Sequence, residues 1–393
     1  MKILHVISIG RVAGGAEKNT FIVNDLHREL GYEVRTLSSD VDKDKQLLSE
    51  YTFSAIKKEE RTKYIRHIFN VQAYKELRRL LKEWDPDIVH LHTMGQVSPL
   101  PLFLLKHYKT VMHLHGPEVF IPALLPWCIH KSLYTSDARN WSSLTPIGKL
   151  YFLYYRYLAY PVYRLGLRNV NLFIAPSKYI AKISKTTLSP IVHLPSGIFM
   201  KEYCRYPKNG TILSVGRIEK VKGLDYLLHA MKEVIVEFPK AKLIIIGKGP
   251  FEAELRQLAK DLGITKNVVF PGWVDQSEVY EYYKNCRIFV LPSVWPENFP
   301  TVCNEALSAG RPVVATRVGG IGEIVEHRKS GLLVPPQNSS ALAKAMINLY
   351  DNRKLAEQMG KNGYESVKKF EFHLHAQKLT DIYEQVSKGK YGH

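Results

Sequence analysis

Cysteine is scarce in this chain: four in 393 residues, at positions 128, 204, 286 and 303, with no Cys-x-x-Cys pair. Thiols scattered in this way argue against a disulfide framework and against a structural zinc centre. A reducing compartment is their natural setting. Long apolar runs are also missing. No stretch approaches the roughly 18 consecutive apolar residues that a spanning helix needs. The N-terminus, MKILHVISIGRVAGGAEK, is not expected to be a secretory leader, because its apolar run is one strand long and flows straight into a glycine turn. Acids are under-represented: 37 Asp and Glu face 55 Lys and Arg, a net charge of +18 with the histidines neutral. Such an excess suits an anionic small ligand, an anionic membrane face or a nucleic acid, without ranking them, and soluble surface accounts for it too. No helix-turn-helix, zinc module or aromatic RNA-binding sheet stands out, so a nucleic-acid partner is not expected.

What the chain has is rhythm. Short apolar runs alternate with helix-like segments: ILHVIS (3–8), EVRTLS (33–38), DIVHLH (87–92), TVMHLH (110–115), NLFIAPS (171–177) and PIVHLPSG (190–197). A helix is expected over 64–83, closed by the Asp-Pro at 85–86. Residues 201–210, KEYCRYPKNG, read as a linker, after which the rhythm restarts with TILSVGRI (211–218), AKLIIIGKGP (241–250), VVF (268–270), RIFVLPS (287–293), RPVVATR (311–317) and GLLVP (331–335). Strands of this length with helical crossovers imply parallel sheets covered on both faces. Two series imply two α/β domains, with the crevice between them as the default ligand site. The expected division is 1–200, with an insertion at 117–165; 201–370; and a terminal helix at 371–393. Within the insertion, IGKLYFLYYRYLAYPVYRL (147–165) mixes Tyr and Leu with spaced cations. It suits a lipid interface, or an ordinary buried helix with snorkelling basic residues.

Four strand-end loops could carry chemistry. In GRVAGGAEKN (10–19), Gly14 and Gly15 open a helix whose free amides attract phosphate, although a tight turn explains them equally, and no G-x-G-x-x-G follows the strand. In VMHLHGPE (111–118), His115 follows a strand and can face the crevice as a hydrogen-bonding group, or be a satisfied core histidine; His113 is placed on the strand's other side. In SVGRIEKVKG (214–223), Gly216 allows a turn, and Arg217 and Lys222 are two cations suited to a diphosphate or simply to solvent. In VWPENFPTVCNEA (294–306), Glu297 should lie on a loop, Pro300 should be the first residue of a helix, and Glu305 should fall in its second turn. Amides at Phe299 to Thr301 would then meet a phosphate, and Glu305 could take a ribose diol. VGGIGEIV (318–325) gives a further glycine turn that could close over a base or sugar.

Taken together, these motifs resemble the retaining glycosyltransferases of family 4, also called glycosyl transferases group 1, and the resemblance covers nearly the whole chain. Its most specific element is a glutamate, seven residues and a glutamate: ENFPTVCNE, Glu297 to Glu305, within PSVWPENFPTVCNEALSAGRPVVAT. The resemblance implies a GT-B fold, two Rossmann-like parallel-sheet domains facing across a cleft, with the last helix crossing back to the first domain. It implies transfer of a sugar from a UDP- or GDP-linked donor to an acceptor hydroxyl, with anomeric configuration retained and with no cofactor or metal. The aromatic, basic insertion at 117–165 suits a lipid-linked acceptor and peripheral contact with an anionic membrane, a soluble glycan acceptor staying open, and the scattered cysteines suit a cytoplasmic enzyme. Arg217 and Lys222, in the family's G-R-x-x-x-x-K-G pattern, would neutralise the diphosphate. Glu297 would hold the donor sugar's hydroxyls, and Phe299, Pro300 and Thr301 the sugar or phosphate. Glu305 would hold the ribose, Gly14 and Gly15 would lie against the phosphates, and His115 would stand near the reacting carbon. The Asp-x-Asp at 85–87 precedes a strand and is discounted as a metal motif. The competing readings are another GT-B enzyme, such as a sugar-nucleotide epimerase or a phosphorylase, and a basic nucleic-acid-binding protein.

Overall fold

The computed structural model describes residues 1–393 except 13, 42–45, 58–62, 117–149, 151–152, 186–189 and 392–393, and excepting the side chains at 63, 64, 155 and 276. The expected insertion therefore lies largely outside the described residues, with Glu118 and Cys128. The chain divides into two compact units: Met1–Gly197 with Phe372–His393, and Ile198–Glu371.

The first unit is built on a seven-stranded sheet. Its strands are β1 (Lys2–Ile9), β2 (Glu33–Ser39), β3 (Tyr51–Phe53), β4 (Ile88–Leu91), β5 (Thr110–His113), β6 (Leu172–Ala175) and β7 (Ile191–His193). Their order is β3-β2-β1-β4-β5-β6-β7, and every pairing is parallel. Alternation along the strands sends Leu4, Val6, Val89, Leu91 and Met112 to one face, under Leu77, Leu80, Leu81 and Trp84 of the Val71–Trp84 helix. Ile3, Ile88, Val111, Leu172 and Ile174 go to the other face. There they meet Val23 and Leu26 of the Gly15–Glu29 helix and Phe372, Ala376, Leu379 and Tyr383 of the Phe372–Ser387 helix. Full burial of each large apolar side chain stabilises by about 1.5–3 kcal/mol, which is what holds the last helix of the chain on the first sheet.

Two sequence expectations change here. The helix expected over 64–83 is two helices, Lys63–Arg66 and Val71–Trp84, because Asn70 caps the second: its side chain accepts from the Ala73 amide at 3.3 Å. Strand β3 was not anticipated, since three residues are too few to show a pattern.

Two histidines seal the Phe372–Ser387 helix to the sheet side of the unit. His375 Nδ1 donates to the Pro195 carbonyl at 2.8 Å, and His27 Nε2 lies 3.3 Å from Thr380 Oγ1. Burial lowers both from 6.5 to about 4, against the opposing pull of the carbonyls of Ala376 (on His27) and Pro195 (on His375). An unfolded histidine titrates near 6.5, so between about pH 6.5 and 4 the unfolded chain holds more protons. The resulting stability is complete above the unfolded value and is lost as pH falls toward 4, at up to about 1.4 kcal/mol per pH unit for each histidine. Thermal melts in the presence of a chelator should therefore show the melting temperature falling between pH 6.5 and 5, with a shallower fall in His375→Gln. A profile unchanged by that substitution would contradict this assignment.

The second unit carries a six-stranded sheet. Its strands are β8 (Thr211–Val215), β9 (Leu243–Ile246), β10 (Val268–Gly272), β11 (Cys286–Leu291), β12 (Val313–Thr316) and β13 (Gly331–Val334). They run in the order β10-β9-β8-β11-β12-β13, again all parallel. The chain winds outward from β8 through β9 to β10, then returns to the far side of β8 as β11. This reversal opens a crevice at the carboxyl ends of β8 and β11, the place where open α/β sheets receive ligands. Among the described residues no helix is long and apolar enough to cross a membrane.

Candidate functional site

In the second unit the sequence places charge at that reversal. Gly216 (φ 153°) ends β8, and a short 3-10 turn, Lys220–Lys222, follows. Gly223 closes the turn at φ 64°, and a Cβ there would stand 2.2 Å from the Pro292 carbonyl oxygen, so only glycine lets the turn lie against the end of β11. The Val221 carbonyl then accepts from the amides of Val294 (2.9 Å) and Trp295 (3.3 Å) and from Ser293 Oγ (3.2 Å). This stitching brings Lys222 to the loop after β11, where its Nζ donates to Glu297 Oε1 at 2.6 Å. Their side chains are 19% and 12% exposed, so the pair is substantially withdrawn from water. Arg217 is different: its side chain is 72% exposed and bonds its near neighbour Glu219 at 2.7 Å. Arg217 and Lys222 are thus each held by a carboxylate, one at the surface and one inside.

The backbone of Glu297 is fixed from the opposite side. The Gly320 amide donates to the Glu297 carbonyl at 2.7 Å. Gly319, at φ 54°, lies so close that a Cβ would stand 2.1 Å from that same oxygen. The glycine pair of VGGIGEIV, read from sequence as a cover for a ligand, serves here as the brace that sets Glu297.

Glu305 stands in the Thr301–Ser308 helix. The Tyr283 hydroxyl donates to its Oε2 at 3.1 Å. Burial, and then the Glu305 carboxylate, hold the Tyr283 phenol well above its ordinary range, so it stays a donor. Cys303, fully buried on the same helix, has its thiol raised first by burial and then by the charge of Glu297. Tyr283 was not singled out by sequence; it lies in the Gln276–Asn285 helix, remote in the chain, and only packing brings it here.

The helix start departs from expectation in two respects. Pro300 precedes the helix as its cap (φ −69°, ψ 102°) rather than opening it, and Thr301 is the first helical residue. Proline also has no N–H, so of Phe299, Pro300 and Thr301 only the first and third offer amides. The Phe299 ring faces away from any such role: it is buried and packs edge-on against Phe370 at 5.2 Å.

Gly14, Gly15 and His115 belong to the first unit. Gly14 caps the Gly15–Glu29 helix, and the buried first-turn acid Glu17 accepts from the backbone of Gly14 and of Glu17 itself. A protein carboxylate thus lies at the helix start where Gly14 and Gly15 are expected to meet a phosphate. Its burial raises the Glu17 carboxyl despite those hydrogen bonds. His115 follows β5, and burial lowers it from 6.5 to about 4. His113 does not point to the other side of the strand: residues two apart share a face, and the two rings stack at 4.7 Å with planes 13° apart. They continue a row with His92, His90 and His5. The signal was present in ILHV, IVHLH and VMHLH, three runs that become the adjacent strands β1, β4 and β5. The discounted aspartates lie at the amino end of β4: Asp85 ends a helix at φ 46°, and Asp87 Oδ2 accepts from the Lys2 amide at 2.7 Å.

An ammonium and a carboxylate side by side, next to the amino end of a helix, can together receive phosphate oxygens and hydroxyl groups. Comparisons with known proteins return glycosyltransferases. The family described as Glycosyl transferases group 1 matches residues 198–366, and that described as Glycosyltransferase Family 4 matches residues 13–199. A phosphatidyl-myo-inositol mannosyltransferase of Mycobacterium leprae is 26% identical, over 96% of this chain and 94% of its own. An uncharacterised glycosyltransferase of Methanocaldococcus jannaschii is 35% identical over 173 residues, a match that spans 44% of each chain. The solved sucrose-phosphate synthase of Thermosynechococcus elongatus superposes with a TM-score of 0.77 at 20% identity, covering 99% of both chains.

The chain has the GT-B fold, and each of its halves matches a glycosyltransferase family.

The two matched families meet at residues 198–199, where the chain passes between its two compact units. The paired Lys222 and Glu297, with Glu305, fall in the second of them.

Proposed function

We propose that this protein is a retaining, metal-independent glycosyltransferase that moves a sugar from a UDP- or GDP-linked donor to a hydroxyl of a glycan or lipid-linked acceptor. The observation that carries this reading is the Lys222–Glu297 pair at the strand-order reversal, set beside the helix that begins at Thr301. As the donor enters, Lys222 and the exposed Arg217 turn to the diphosphate, and Glu297 takes hydroxyls of the sugar. Glu305, steadied by Tyr283, holds the ribose diol, and the amides of Phe299 and Thr301 meet the sugar–phosphate junction. Gly14, Gly15 and Gly216 give backbone access to the phosphates, and His115, neutral through burial, serves as a hydrogen-bonding group near the reacting carbon.

The reaction develops positive charge on the sugar ring and negative charge on the departing diphosphate. Cations and amides aimed at the latter need little reorganisation and supply several kcal/mol, roughly 3 or more. These cations do electrostatic work that a divalent ion does in other transferases, which is the ground for proposing metal independence. Glu297 is assigned to the hydroxyls, leaving no carboxylate assigned as a nucleophile for double displacement. A front-face route, with the leaving phosphate accepting the acceptor's proton, fits retention. Incubation with UDP-, GDP- and ADP-sugars should give product only when acceptor is present, with the donor's anomeric configuration and undiminished by chelator. An epimerised sugar formed without acceptor, or an inverted product, would overturn the proposal.

We also place the enzyme at a cytoplasmic anionic membrane face. Around the Tyr160–Leu167 helix, Leu150 (68%), Leu153 (40%), Tyr157 (70%), Leu158 (49%) and Leu165 (50%) are exposed. Arg156, Arg164 and Arg168 are exposed among them. Apolar bodies with interspersed cations suit headgroups and upper acyl chains. Vesicles containing anionic phospholipid should sediment the protein, neutral vesicles far less, and Tyr157→Glu with Leu158→Glu should reduce recovery about tenfold. Equal recovery of the variant would refute this surface.

A further inference from the structure

The row of histidines on the first sheet is not used by the reaction proposed above, apart from His115. His5 of β1 is in register with His90 of β4, and His92 follows on the same face of the sheet. All three are buried, at 0%, 0% and 4% exposure. Their rings cluster, with centroids 4.1 Å apart for His90 and His92, 5.1 Å for His5 and His90, and 5.2 Å for His5 and His92. One nitrogen from each can be chosen so that all three lie within 4.8 Å of one another. An ion with bonds of about 2.1 Å holds its nitrogens within about 4.2 Å of each other, so small ring rotations complete such a set.

Neighbours orient the rings as outer-shell groups orient metal ligands. The Thr20 hydroxyl donates to the Ala16 carbonyl at 2.9 Å, so toward His92 Nδ1, 3.1 Å away, it can only accept. The proton of His92 therefore sits on Nδ1, and Nε2 presents its lone pair. That Nε2 is 2.9 Å from His5 Nδ1. His90 Nδ1 is 2.6 Å from the Tyr383 hydroxyl, and its Nε2 has no hydrogen-bond partner; neither has Nε2 of His5. Unmade hydrogen bonds at buried nitrogens are costly, and here two of them belong to one cluster of neutral imidazoles, the ligating form of histidine.

We propose that His5, His90 and His92 form a binding site for a divalent transition-metal ion of the zinc class, a structural site beneath the Gly15–Glu29 and Phe372–Ser387 helices. Its ion takes no part in sugar transfer. Tied through Thr20 to one helix and through Tyr383 to the other, it would fasten both covering helices to the sheet. His92, His113 and His115 form a second, overlapping trio, but His115 is only partly buried and no outer-shell partner of His113 is seen among the described residues.

The test is metal content of the full chain, expressed without a polyhistidine tag and refolded with Zn²⁺ or Co²⁺. About one zinc per chain is expected for the unaltered protein, for His27→Gln and for His113→Gln, and less than a tenth of that for His5→Gln and His92→Gln. The Co²⁺ form should absorb in the visible without a thiolate charge-transfer band, a readout that stands even if the substituted chains fail to fold. No zinc above background, a thiolate band, or loss of zinc in His113→Gln with retention in His5→Gln would each overturn the assignment.

Discussion

Lys222→Met is expected to lower kcat/KM for sugar transfer by about 10²–10³, the range seen when one group aimed at developing negative charge is removed. It should also destabilise the fold by about 3 kcal/mol or more, because the Glu297 carboxylate is left without its partner in a site largely shut off from water. These two effects are separable. The double variant Lys222→Met with Glu297→Gln removes both charges while preserving side-chain volume, and a well-packed neutral pair in place of an ion pair is often neutral or stabilising. Denaturant melts should therefore show stability largely restored, while initial rates stay at the level of the single variant. Recovery of transfer together with stability would mean that the pair serves the fold and not the donor.

Gly319→Ala should damage the same site without touching a charged group. At φ 54° a non-glycine residue is strained by about 1–2 kcal/mol. The larger difficulty is contact: the new Cβ would stand 2.1 Å from the Glu297 oxygen and 2.7 Å from the Glu297 nitrogen. Backbone cannot yield like a side chain, so the loop must move and carry Glu297 with it. A displacement of about 1 Å at a positioned group costs on the order of 100-fold in rate. The natural control is Gly31→Ala, also at positive φ (83°) but with nothing within 4 Å of the added Cβ. It should cost only the backbone strain and leave transfer unchanged. If both variants transfer at the unaltered rate, the bracing of Glu297 by the 319–320 turn is immaterial to activity.

The two-sheet architecture was legible because each strand is a short apolar run bounded by helical segments, and burial on both faces makes such runs conspicuous. What remained hidden follows from the range of the forces involved. The eight-residue spacing of Glu297 and Glu305 is local and could be read; the hydrogen bonds that aim each acid are not. Lys222 reaches Glu297 across 75 positions and Tyr283 reaches Glu305 across 22, through packing that no local pattern encodes. Glu17 was overlooked because an acid in a helix's first turn ordinarily reads as dipole compensation. The five-histidine row was present in three strand motifs, but recognising it requires knowing that β1, β4 and β5 are neighbours. The amide at Pro300 and the direction of His113 were errors of elementary stereochemistry, corrected by the missing N–H of proline and by the two-residue period of a strand.

The most direct measurement is a calorimetric titration of UDP and of GDP into the unaltered protein and into the folded Lys222→Met, Glu297→Gln double variant. One of the two nucleotides should bind the unaltered protein with a saturable heat, and the double variant should bind it at least tenfold more weakly. Equal affinity in both proteins would contradict the assignment of this pair to the donor's diphosphate and sugar.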